Sequence, residues 1–597
     1  MCGIVGAVMK SDVVPSVVEG LEKLSYRGYD SAGVASLSDK GALTRRRAAG
    51  KIESLKSLIN RDPITGCAAV GHTRWATHGA PTETNAHPHV AGSIAVVHNG
   101  IIENYEALRR ELRDRGFVFS SDTDTETVPQ LMRAELENGC DPVTAARRAL
   151  ARLEGQHAVC ALVEGPEEML IAAKKDSPLV IGFADDGYFV GSDILAFADK
   201  AREAVFLEDE DIAVITRHGV EISGYDGLPR ERRAEVIRPG VAVATKGAYR
   251  HFMLKEIHEQ PAVIAKQIEA DAFDAPPSFQ SAGVIDIVAC GTSANAGLVA
   301  RDWFARLGGK RIIVDSASEY RYKEKARDGD VAPAVVISQS GETADTLACL
   351  RSLKKSGRSV AAIVNVPTSS IAREANAVAL TTAGAEIGVA STKAFTAQLT
   401  ALLRMAMRLG EATDPDAAAR AERALGDLPA HMEAALDCED QIKKVARDIQ
   451  YASNVMYLGR GAGHGLAVEG ALKLKEISYI HAEGFAAGEL KHGPIALIEE
   501  GTPVVIIAFS GPLLSKTISN LEEVAARGAE TIVIGDPAAV EEIGDRCNHA
   551  IALPDAPEET LPIIAAAPLQ LLAYHVAVLR GTDVDQPRNL AKSVTVE

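Results

Sequence analysis

The sequence predicts a multidomain protein of mixed α/β and α+β class. Its 597 residues exceed what a single hydrophobic core normally supports. The first third alternates short β-type runs with polar stretches, and the second half contains an internal repeat of strand, glycine and helix. We therefore expect an α+β domain followed by two doubly wound domains, each with a parallel sheet covered on both faces, and a C-terminal tail.

The composition narrows the possible partners and the compartment. A formal net charge of -18 argues against nonspecific nucleic-acid binding and against adsorption to an anionic membrane. Eight scattered cysteines without a C-x-x-C pair, and a start without a basic leader, favour the reducing cytoplasm. The apolar stretch Leu561–Leu579 contains two prolines, Gln570 and His575, so we expect a buried core helix rather than a membrane span.

The elements of the first third follow from local patterns. Ile4–Val8, Ala68–Gly71 and Ser93–Val97 are predicted strands, and Asn104–Arg115 is a predicted amphipathic helix that ends at Gly116. Polar stretches lie between these elements, and loops of this kind carry function more often than regular elements do.

The repeat organises the second half. Val288 and Val455 occupy matching strands 167 residues apart, and Val335 and Val504 occupy another matching pair 169 residues apart. The expected boundaries are 2–219 for the first domain, 220–277 for a linker with a helical lead-in, 278–417 and 447–587 for the two doubly wound domains, 418–446 for a helical connector and 588–597 for the tail.

Cys2 is the first candidate for chemistry. If Met1 is removed, Cys2 carries a thiol and a free α-amine whose pKa of about 7.7–8.0 lets it act as a base near neutral pH. The alternative is that Cys2 is a small apolar residue at the start of a buried strand.

An amide-cleaving thiol needs an oxyanion hole and anchors for its substrate. Asn99-Gly100 offers a side-chain amide and an unobstructed backbone N–H, although Asn-Gly is also typical of a tight hairpin turn. Arg74 suits a substrate carboxylate and Asp124 an α-amine, although each is also a candidate for a structural ion pair.

Several separated motifs together resemble the class II glutamine amidotransferase domain. They are Cys2–Gly6, Tyr26–Ser31, His72–Gly79, His98–Gly100 and Asp122–Glu126. The resemblance implies an αββα N-terminal-nucleophile amidohydrolase fold, a γ-glutamyl thioester on Cys2 and an oxyanion hole at Asn99 and Gly100. It also implies that Arg27 lies near a lid that closes over the glutamine site. The implied glutamine-binding residues are Arg74, Trp75, Thr77, His78 and Asp124. The histidines of these motifs match no usual metal-ligand spacing, so we expect no metal.

A polar loop in the first repeat predicts a phosphate site. Ser338–Thr343 lies between an apolar strand and a helix expected near Ala344, and Thr292 and Ser293 follow the first strand of the repeat. Strand ends and helix N-termini of doubly wound sheets bind phosphate, although Ser and Thr are also ordinary helix caps. The glycines at 459–465 fail the G-x-G-x-x-G pattern and no P-loop is present near them, so NAD and ATP are disfavoured and no cofactor is expected.

Two further motifs lie in the second repeat. Lys473 and Glu476 are three residues apart on a predicted helix, Leu466–Ile480, and therefore share a face. A surface ion pair is the ordinary interpretation of such a pair. His492 stands directly before a Gly-Pro turn.

With these blocks, essentially the whole chain resembles the isomerizing glutamine–fructose-6-phosphate aminotransferase family, whose second half consists of two sugar-isomerase (SIS) domains. The resemblance implies that Lys592 condenses with a ketose carbonyl, that Glu476 moves a proton between C1 and C2, and that His492 assists ring opening from the partner subunit of a homodimer. It further implies a sugar-phosphate site formed by Thr292, Ser293, Ser338, Gln339, Ser340, Thr343, Val389, Lys473 and Ala591.

The expected reaction converts L-glutamine and D-fructose 6-phosphate to L-glutamate and D-glucosamine 6-phosphate, the first step of hexosamine synthesis. Ammonia is expected to pass internally to the sugar, gated by Trp75, because water would protonate and dilute it. Two alternatives remain: another class II amidotransferase, which would need a pyrophosphate or ATP site, and a non-catalytic sugar-phosphate sensor, which would leave Cys2 and Lys592 unexplained.

Overall fold

A computed structural model describes residues 2–38, 41–165, 168–237, 246–270, 276–323 and 332–595. The chain forms two compact units, the first spanning Met1–Val243 with Ser593–Glu597 and the second spanning Ala244–Lys592. The predicted removal of Met1 concerns a residue outside the described part of the chain.

The first unit contains two antiparallel sheets and five α-helices. Its strands are β1 Gly3–Met9, β2 Ser31–Leu37, β3 Leu43–Ala49, β4 Ala68–Arg74, β5 His89–Ala91, β6 Ile94–Gly100, β7 His157–Val163, β8 Met169–Lys175, β9 Val180–Phe183, β10 Gly187–Gly191, β11 Glu203–Phe206, β12 Asp211–Thr216, β13 Gly219–Gly224 and β14 Glu235–Val236. Its helices are α1 Val14–Lys23, α2 Ile52–Arg61, α3 Tyr105–Asp114, α4 Thr127–Glu137 and α5 Pro142–Leu150.

These elements form an αββα sandwich. The sheet orders are β14-β11-β9-β10-β1-β4-β2-β3 and β13-β12-β8-β7-β6-β5. In β1, Ile4 and Val8 face the core between the sheets, whereas Val5 and Ala7 face the layer of α1 and α2. This alternation follows from the period of two along a strand. The layer of α3, α4 and α5 covers the other sheet with its own apolar cluster, so the expected αββα fold is confirmed.

The second unit is built from parallel strands and many helices. Its strands are β15 Val284–Ala289, β16 Arg311–Ser316, β17 Ala334–Ser338, β18 Val360–Val364, β19 Ala377–Leu380, β20 Asn454–Gly459, β21 His481–Ala486, β22 Pro503–Ala508, β23 Glu530–Gly535 and β24 His549–Ala552. Its helices are α6 Phe252–His258, α7 Gln260–Glu269, α8 Pro277–Ser281, α9 Gly291–Arg306, α10 Ala317–Tyr320, α11 Ala344–Lys355, α12 Ser370–Glu374, α13 Lys393–Gly410, α14 Pro415–Leu436, α15 Glu439–Ile449, α16 Ala462–Ser478, α17 Leu514–Ala525, α18 Pro537–Ile543, α19 Leu561–Ile564 and α20 Ala566–Leu579.

The two sheets of this unit have the same topology, which confirms the predicted repeat. Their orders are β16-β15-β17-β18-β19 and β21-β20-β22-β23-β24, both parallel. Ala289 pairs with Ile337 in the first sheet, and Gly459 pairs with Ile507 in the second. Equivalent positions are therefore 170 residues apart on both strands, so the offsets of 167 and 169 read from the sequence were slightly too short.

Two boundaries differ from the expectation. β13 and β14 pair within the sheets of the first unit, so the end expected at 219 is too early. The tail expected at 588–597 is divided, because Lys592 belongs to the second unit and Ser593 to the first. The apolar stretch Leu561–Leu579 is 89% buried, as expected for a core helix, and within the described residues it alone has the length and apolar character of a membrane span.

Candidate active sites

The thiol site of the first unit forms where three strands begin or end. Gly3 pairs with Thr73, which places Cys2 beside the end of β4, and the backbone N–H of Trp75 donates to Cys2 Sγ at 3.2 Å. The Asn99 side chain, near the end of β6, donates from Nδ2 to the Cys2 carbonyl oxygen at 3.0 Å. Cys2 is therefore not simply an apolar residue opening a strand, because its sulfur and carbonyl are both engaged by polar groups.

Asn99 and Gly100 belong to β6 rather than to a hairpin turn. They pair with Ala158 and His157 on β7. Gly100 has φ of 128°, and a Cβ atom there would stand 2.0 Å from the carbonyl oxygen of Gln156. Only glycine fits this backbone without displacement. The hairpin interpretation is therefore wrong.

The pocket at Cys2 collects most of the residues expected from sequence. Its lining consists of Cys2, Arg74, Trp75, Thr77, His87, His98, Asn99, Gly100, Asp124, Thr125 and Thr595. His78 is not part of this lining; its carbonyl accepts from Arg74 and its ring packs edge-on against Tyr105. His87, His98, Thr125 and Thr595 also line the pocket but were not among the expected site residues.

Arg74 and Asp124 are both fixed by backbone groups. Nη2 of Arg74 donates to the Gly79 carbonyl at 3.0 Å, and Nη1 donates to that of Ala80 at 3.3 Å. Asp124 Oδ2 accepts the Ile102 N–H at 2.9 Å. Both side chains are buried and both line the pocket, so each is held in place at the position expected for a substrate anchor.

The environment of the Cys2 thiol disfavours its ionisation. Burial raises the pKa of Cys2 above its ordinary value, and the Trp75 N–H and the Arg74 charge offset this only in part. A thiol of this kind needs a base before it can attack.

The buried histidines of this unit organise polar side chains. His72 Nε2 lies 3.0 Å from Asn99 Oδ1, His89 Nε2 lies 2.9 Å from Thr123 Oγ1, and His98 Nδ1 lies 2.9 Å from Thr125 Oγ1. Burial lowers the pKa of His72 to about 3, so its imidazole is neutral.

The predicted phosphate loop follows β17 directly. Ser338 is the last residue of the strand, and its Oγ accepts the Gly341 N–H at 3.0 Å and lies 2.9 Å from Thr343 Oγ1. Ser340 Oγ accepts the Glu342 N–H at 3.1 Å. The hydroxyls of Ser338 and Thr343 therefore lie together at the N-terminus of α11.

The equivalent positions of the second repeat keep only one of these hydroxyls, because Ser340 corresponds to Ser510. By the offset of 170, Ser338 corresponds to Ala508, Thr292 to Ala462 and Ser293 to Gly463. The hydroxyls of Ser338, Thr292 and Ser293 are therefore specific to the first repeat.

The second repeat contributes charged groups instead. Lys473 on α16 is 1% exposed, donates to Thr292 Oγ1 at 3.0 Å and lies 2.8 Å from Glu476 and 3.4 Å from Glu469. Burial disfavours its charge, but the two carboxylates raise its pKa above the ordinary value, so Lys473 remains cationic. The surface ion-pair interpretation is thus wrong. Glu469 is 3% exposed and Glu476 21%, so Glu476 is the carboxylate that solvent and a substrate can reach.

Lys592 is held by two acceptors on one segment. Its amine donates to the carboxylate of Glu386 and to the Gly388 carbonyl oxygen at 2.8 Å. Burial opposes ionisation of Glu386, but Lys592 and the N–H groups of Thr392 and Ala394 lower its pKa. The negative charge of Glu386 also raises the pKa of Lys473. The Lys592–Glu386 pair therefore interacts electrostatically with the lysine at the contact between α9 and α16. Glu386 was missed by sequence reasoning.

The remaining expected residues lie as follows. Ser293 Oγ accepts from Gln398 Nε2 at 3.1 Å, the Val389 N–H donates to the Asp585 carbonyl at 3.0 Å, and the Gln339 carbonyl accepts from Asn365. Ala591 is half-buried beside Lys592. His492 is exposed at the end of the 3₁₀ helix Ala487–His492, and it takes part in none of the contacts described above.

The fold and the two sites define a glutamine amidotransferase domain joined to a pair of sugar-isomerase domains. The family model of the glutamine amidotransferase domain matches residues 72–199, and that of the SIS domain matches 278–408 and 448–580. The chain is 48% identical over its whole length to the glutamine–fructose-6-phosphate aminotransferase (isomerizing) of Zymomonas mobilis, and 49% identical to that of Mesorhizobium japonicum, covering all of each relative. It belongs to the family of isomerizing glutamine–fructose-6-phosphate aminotransferases.

The second half is similar to solved structures. The C-terminal domain of glucosamine-fructose-6-phosphate aminotransferase from Francisella tularensis superposes with a TM-score of 0.55 at 43% identity, covering 57% of this chain and all of that one.

Proposed function

We propose that this protein converts D-fructose 6-phosphate and L-glutamine to D-glucosamine 6-phosphate and L-glutamate. The observation that carries the proposal is the presence in one chain of a thiol pocket at Cys2 and of a buried lysine, Lys592, in the unit that holds the phosphate loop. The activity printed for the full-length relatives supports it.

In the first half-reaction, the Cys2 thiolate attacks the side-chain amide of glutamine. The free α-amine of Cys2, after removal of Met1, takes the thiol proton and passes it to the leaving ammonia. The Asn99 amide and the Gly100 N–H stabilise the tetrahedral oxyanion, while Arg74 and Asp124 hold the α-carboxylate and the α-amine. Water then hydrolyses the γ-glutamyl thioester to glutamate.

In the second half-reaction, the phosphate binds at Ser338–Thr343 with Thr292 and Ser293. The Lys592 ammonium passes a proton to its partner Glu386, and the neutral amine adds to the C2 carbonyl. The carbonyl oxygen takes up two protons and leaves as water, giving an imine, and ammonia then replaces the lysine nitrogen. Glu476 removes a proton from C1 and returns it to C2, which is favoured because Glu476 is the accessible carboxylate beside Lys473. Ammonia is not released to solvent, and Trp75, which lines the thiol pocket, gates its departure.

We further propose a homodimer in which His492 of one subunit completes the sugar site of the other. His492 is exposed, and the neighbouring Leu497 is an apolar side chain with 62% of its surface exposed. Both features suit a segment that is covered by a second copy. All eight cysteines are free, which supports a reducing cytoplasmic location.

The test is a product assay with fructose 6-phosphate and glutamine, run on the wild type and on Cys2→Ala, with the intact mass of the N-terminus recorded. The proposal expects wild-type synthesis of glucosamine 6-phosphate, and for Cys2→Ala the loss of glutamine-dependent synthesis with isomerisation of fructose 6-phosphate retained. Sugar-phosphate binding without any turnover would instead indicate a sensor.

A further inference from the structure

Glu256, on α6, is a buried carboxylate that forms no ion pair among the described residues, although the charges of Lys592 and Lys393 act on it. Its side chain is only 2% exposed, and its Oε2 atom has no hydrogen-bond partner in the described part of the chain. The mechanism above does not use it. Burial of an acid without a counter-ion is costly, so such a residue requires an explanation.

Glu256 contacts the segment that holds Lys592. Its Oε1 atom accepts the N–H groups of Ile387 at 2.5 Å and of Gly388 at 3.2 Å. These two peptides lie between the two acceptors of the Lys592 amine, the Glu386 carboxylate and the Gly388 carbonyl oxygen. Since the segment 381–392 between β19 and α13 has no regular secondary structure, side-chain contacts of this kind determine its conformation.

The Glu256 side chain packs closely against Gly388, and the helix that carries it is anchored at its start. A Cβ atom on Gly388 would stand 2.9 Å from Glu256 Oε2, so glycine permits the approach of the carboxyl group. Helix α6 is itself held at its start, because Asp585 accepts the N–H groups of Phe252 and Met253 at 3.0 and 2.9 Å. The carbonyl of the same Asp585 accepts from Val389. α6, the segment after Glu386 and the chain leading to Lys592 are therefore tied in one closed set of contacts.

The protonation of Glu256 suits this role. Burial, together with the neighbouring Glu386 charge, raises the pKa of Glu256 to about 8. A neutral carboxyl group accepts both N–H groups through Oε1 without placing a second negative charge beside Glu386 and Lys592.

We propose that Glu256 is a positioning residue for Lys592: by fixing the Ile387 and Gly388 peptides, it orients the carbonyl that presents the lysine amine to the ketose. This inference rests on the proposed function of Lys592. It concerns imine formation, in which the lysine nitrogen bonds to C2 of fructose 6-phosphate and the carbonyl oxygen leaves as water.

The test uses the full-length protein, fructose 6-phosphate and borohydride, without glutamine. Borohydride delivers hydride to the imine and leaves a stable secondary amine, which intact mass and peptide mapping locate at Lys592. We expect trapping to be at least tenfold slower in Glu256→Leu, with the kcat of isomerisation lowered and its KM changed less than twofold. Glu256→Gln keeps the acceptor atom and should remain within about threefold of the wild type.

Two further variants keep the test decisive. Gln260→Ala removes another buried hydrogen bond one turn away, from Nε2 to the Ile257 carbonyl, and should trap the sugar at the wild-type rate. Gly388→Ala pushes the segment away from Glu256 and should slow trapping even if Glu256→Leu fails to fold. Glutamine hydrolysis at Cys2 is the internal control and should be unchanged.

The outcomes separate the two proposals. Wild-type trapping at Lys592 together with normal trapping in both Glu256→Leu and Gly388→Ala overturns the role of Glu256 alone. An equal loss in Gln260→Ala also overturns it, because the effect would then be general loss of packing. Failure of the wild type to trap fructose 6-phosphate at Lys592 overturns the proposed function of that lysine and this inference with it.

Discussion

Nε2 of His72 donates a hydrogen bond to Oδ1 of Asn99 across 3.0 Å. The direction follows from the partners: Asn99 Nδ2 faces the Cys2 carbonyl, which only accepts, so Oδ1 faces His72 and must itself accept. His72 is neutral, and its Nδ1 has no partner among the described residues, so the single ring hydrogen is on Nε2. His72 thereby fixes which end of the Asn99 amide faces the Cys2 carbonyl.

We therefore expect His72→Leu to lower the kcat of glutamine hydrolysis by about tenfold, because the amide can then turn its oxygen toward the developing oxyanion. The KM for glutamine should change little, since Arg74 and Asp124 remain. His72→Gln retains a donor and should recover most of the rate. Steady-state glutaminase kinetics measure this, with isomerisation of fructose 6-phosphate as the control; equal kinetics for all three proteins would contradict it.

The asymmetry between the repeats gives a matched pair of variants. Ser338→Ala should raise the KM for fructose 6-phosphate by about tenfold, because one hydroxyl donor to the phosphate is lost. Ala508→Ser, the equivalent position in the second repeat, should leave KM unchanged. An equal response at both positions would argue against a phosphate site in the first repeat alone.

The effects of replacing Lys592 and Glu386 on the free energy of unfolding should be coupled. Their side chains are 4% and 0% exposed, so removing either charge leaves the other buried and unpaired. Lys592→Met and Glu386→Gln should each cost roughly 3 kcal/mol in the free energy of unfolding, and the double variant less than their sum. Urea unfolding in a Trp75→Phe background reports this unit, because the other tryptophan, Trp303, is buried there. Additive costs would show that the pair does not interact.

Acid should destabilise the first unit through its buried histidines. Burial lowers the pKa of His157 to about 3, and its Nε2 lies 2.8 Å from the Tyr225 hydroxyl. In the unfolded chain His157 binds a proton near pH 6.5, whereas in the folded protein it stays neutral down to about pH 3. The free energy of unfolding is therefore at its full value above pH 6.5 and falls as the pH drops toward 3. At pH 5 the loss is about 2 kcal/mol for this one histidine.

His157→Gln should lower the slope of the free energy of unfolding against pH by an amount that corresponds to about one bound proton. Urea unfolding between pH 7.5 and 4.5, with Trp75 as the only tryptophan in a Trp303→Phe background, measures the slope. An unchanged slope would mean that His157 is already protonated in the folded protein.

Subunit mixing tests the proposed origin of His492. His492→Ala and Lys592→Ala homodimers should both be inactive in synthesis. Each mixed dimer should have about half the wild-type activity, because one of its two sites holds both native side chains. Random reassociation makes about half of the dimers mixed, so the sample should recover roughly a quarter of the activity. Recovery should be absent if His492 serves the site of its own chain.

Local patterns predicted the elements and the strand ends well. The periodicity of β1 and the apolar run before Ser338 are properties of a few adjacent residues, so the site residues next to these strands could be named. Glu386 and Glu256 could not, because their partners Lys592 and Ile387 lie 206 and 131 residues away. For Lys473 the pairing was predicted but the burial was not, since it depends on α9 packing against α16.

The two repeats contribute different groups. The first carries the hydroxyls of Ser338, Thr292 and Ser293 at the ends of its strands, whereas the second supplies ionisable groups from α16. Neither repeat can therefore replace the other. A lone copy, expressed by itself, would hold a phosphate without the means to rearrange the sugar, or carry the proton-moving groups with no sugar held beside them.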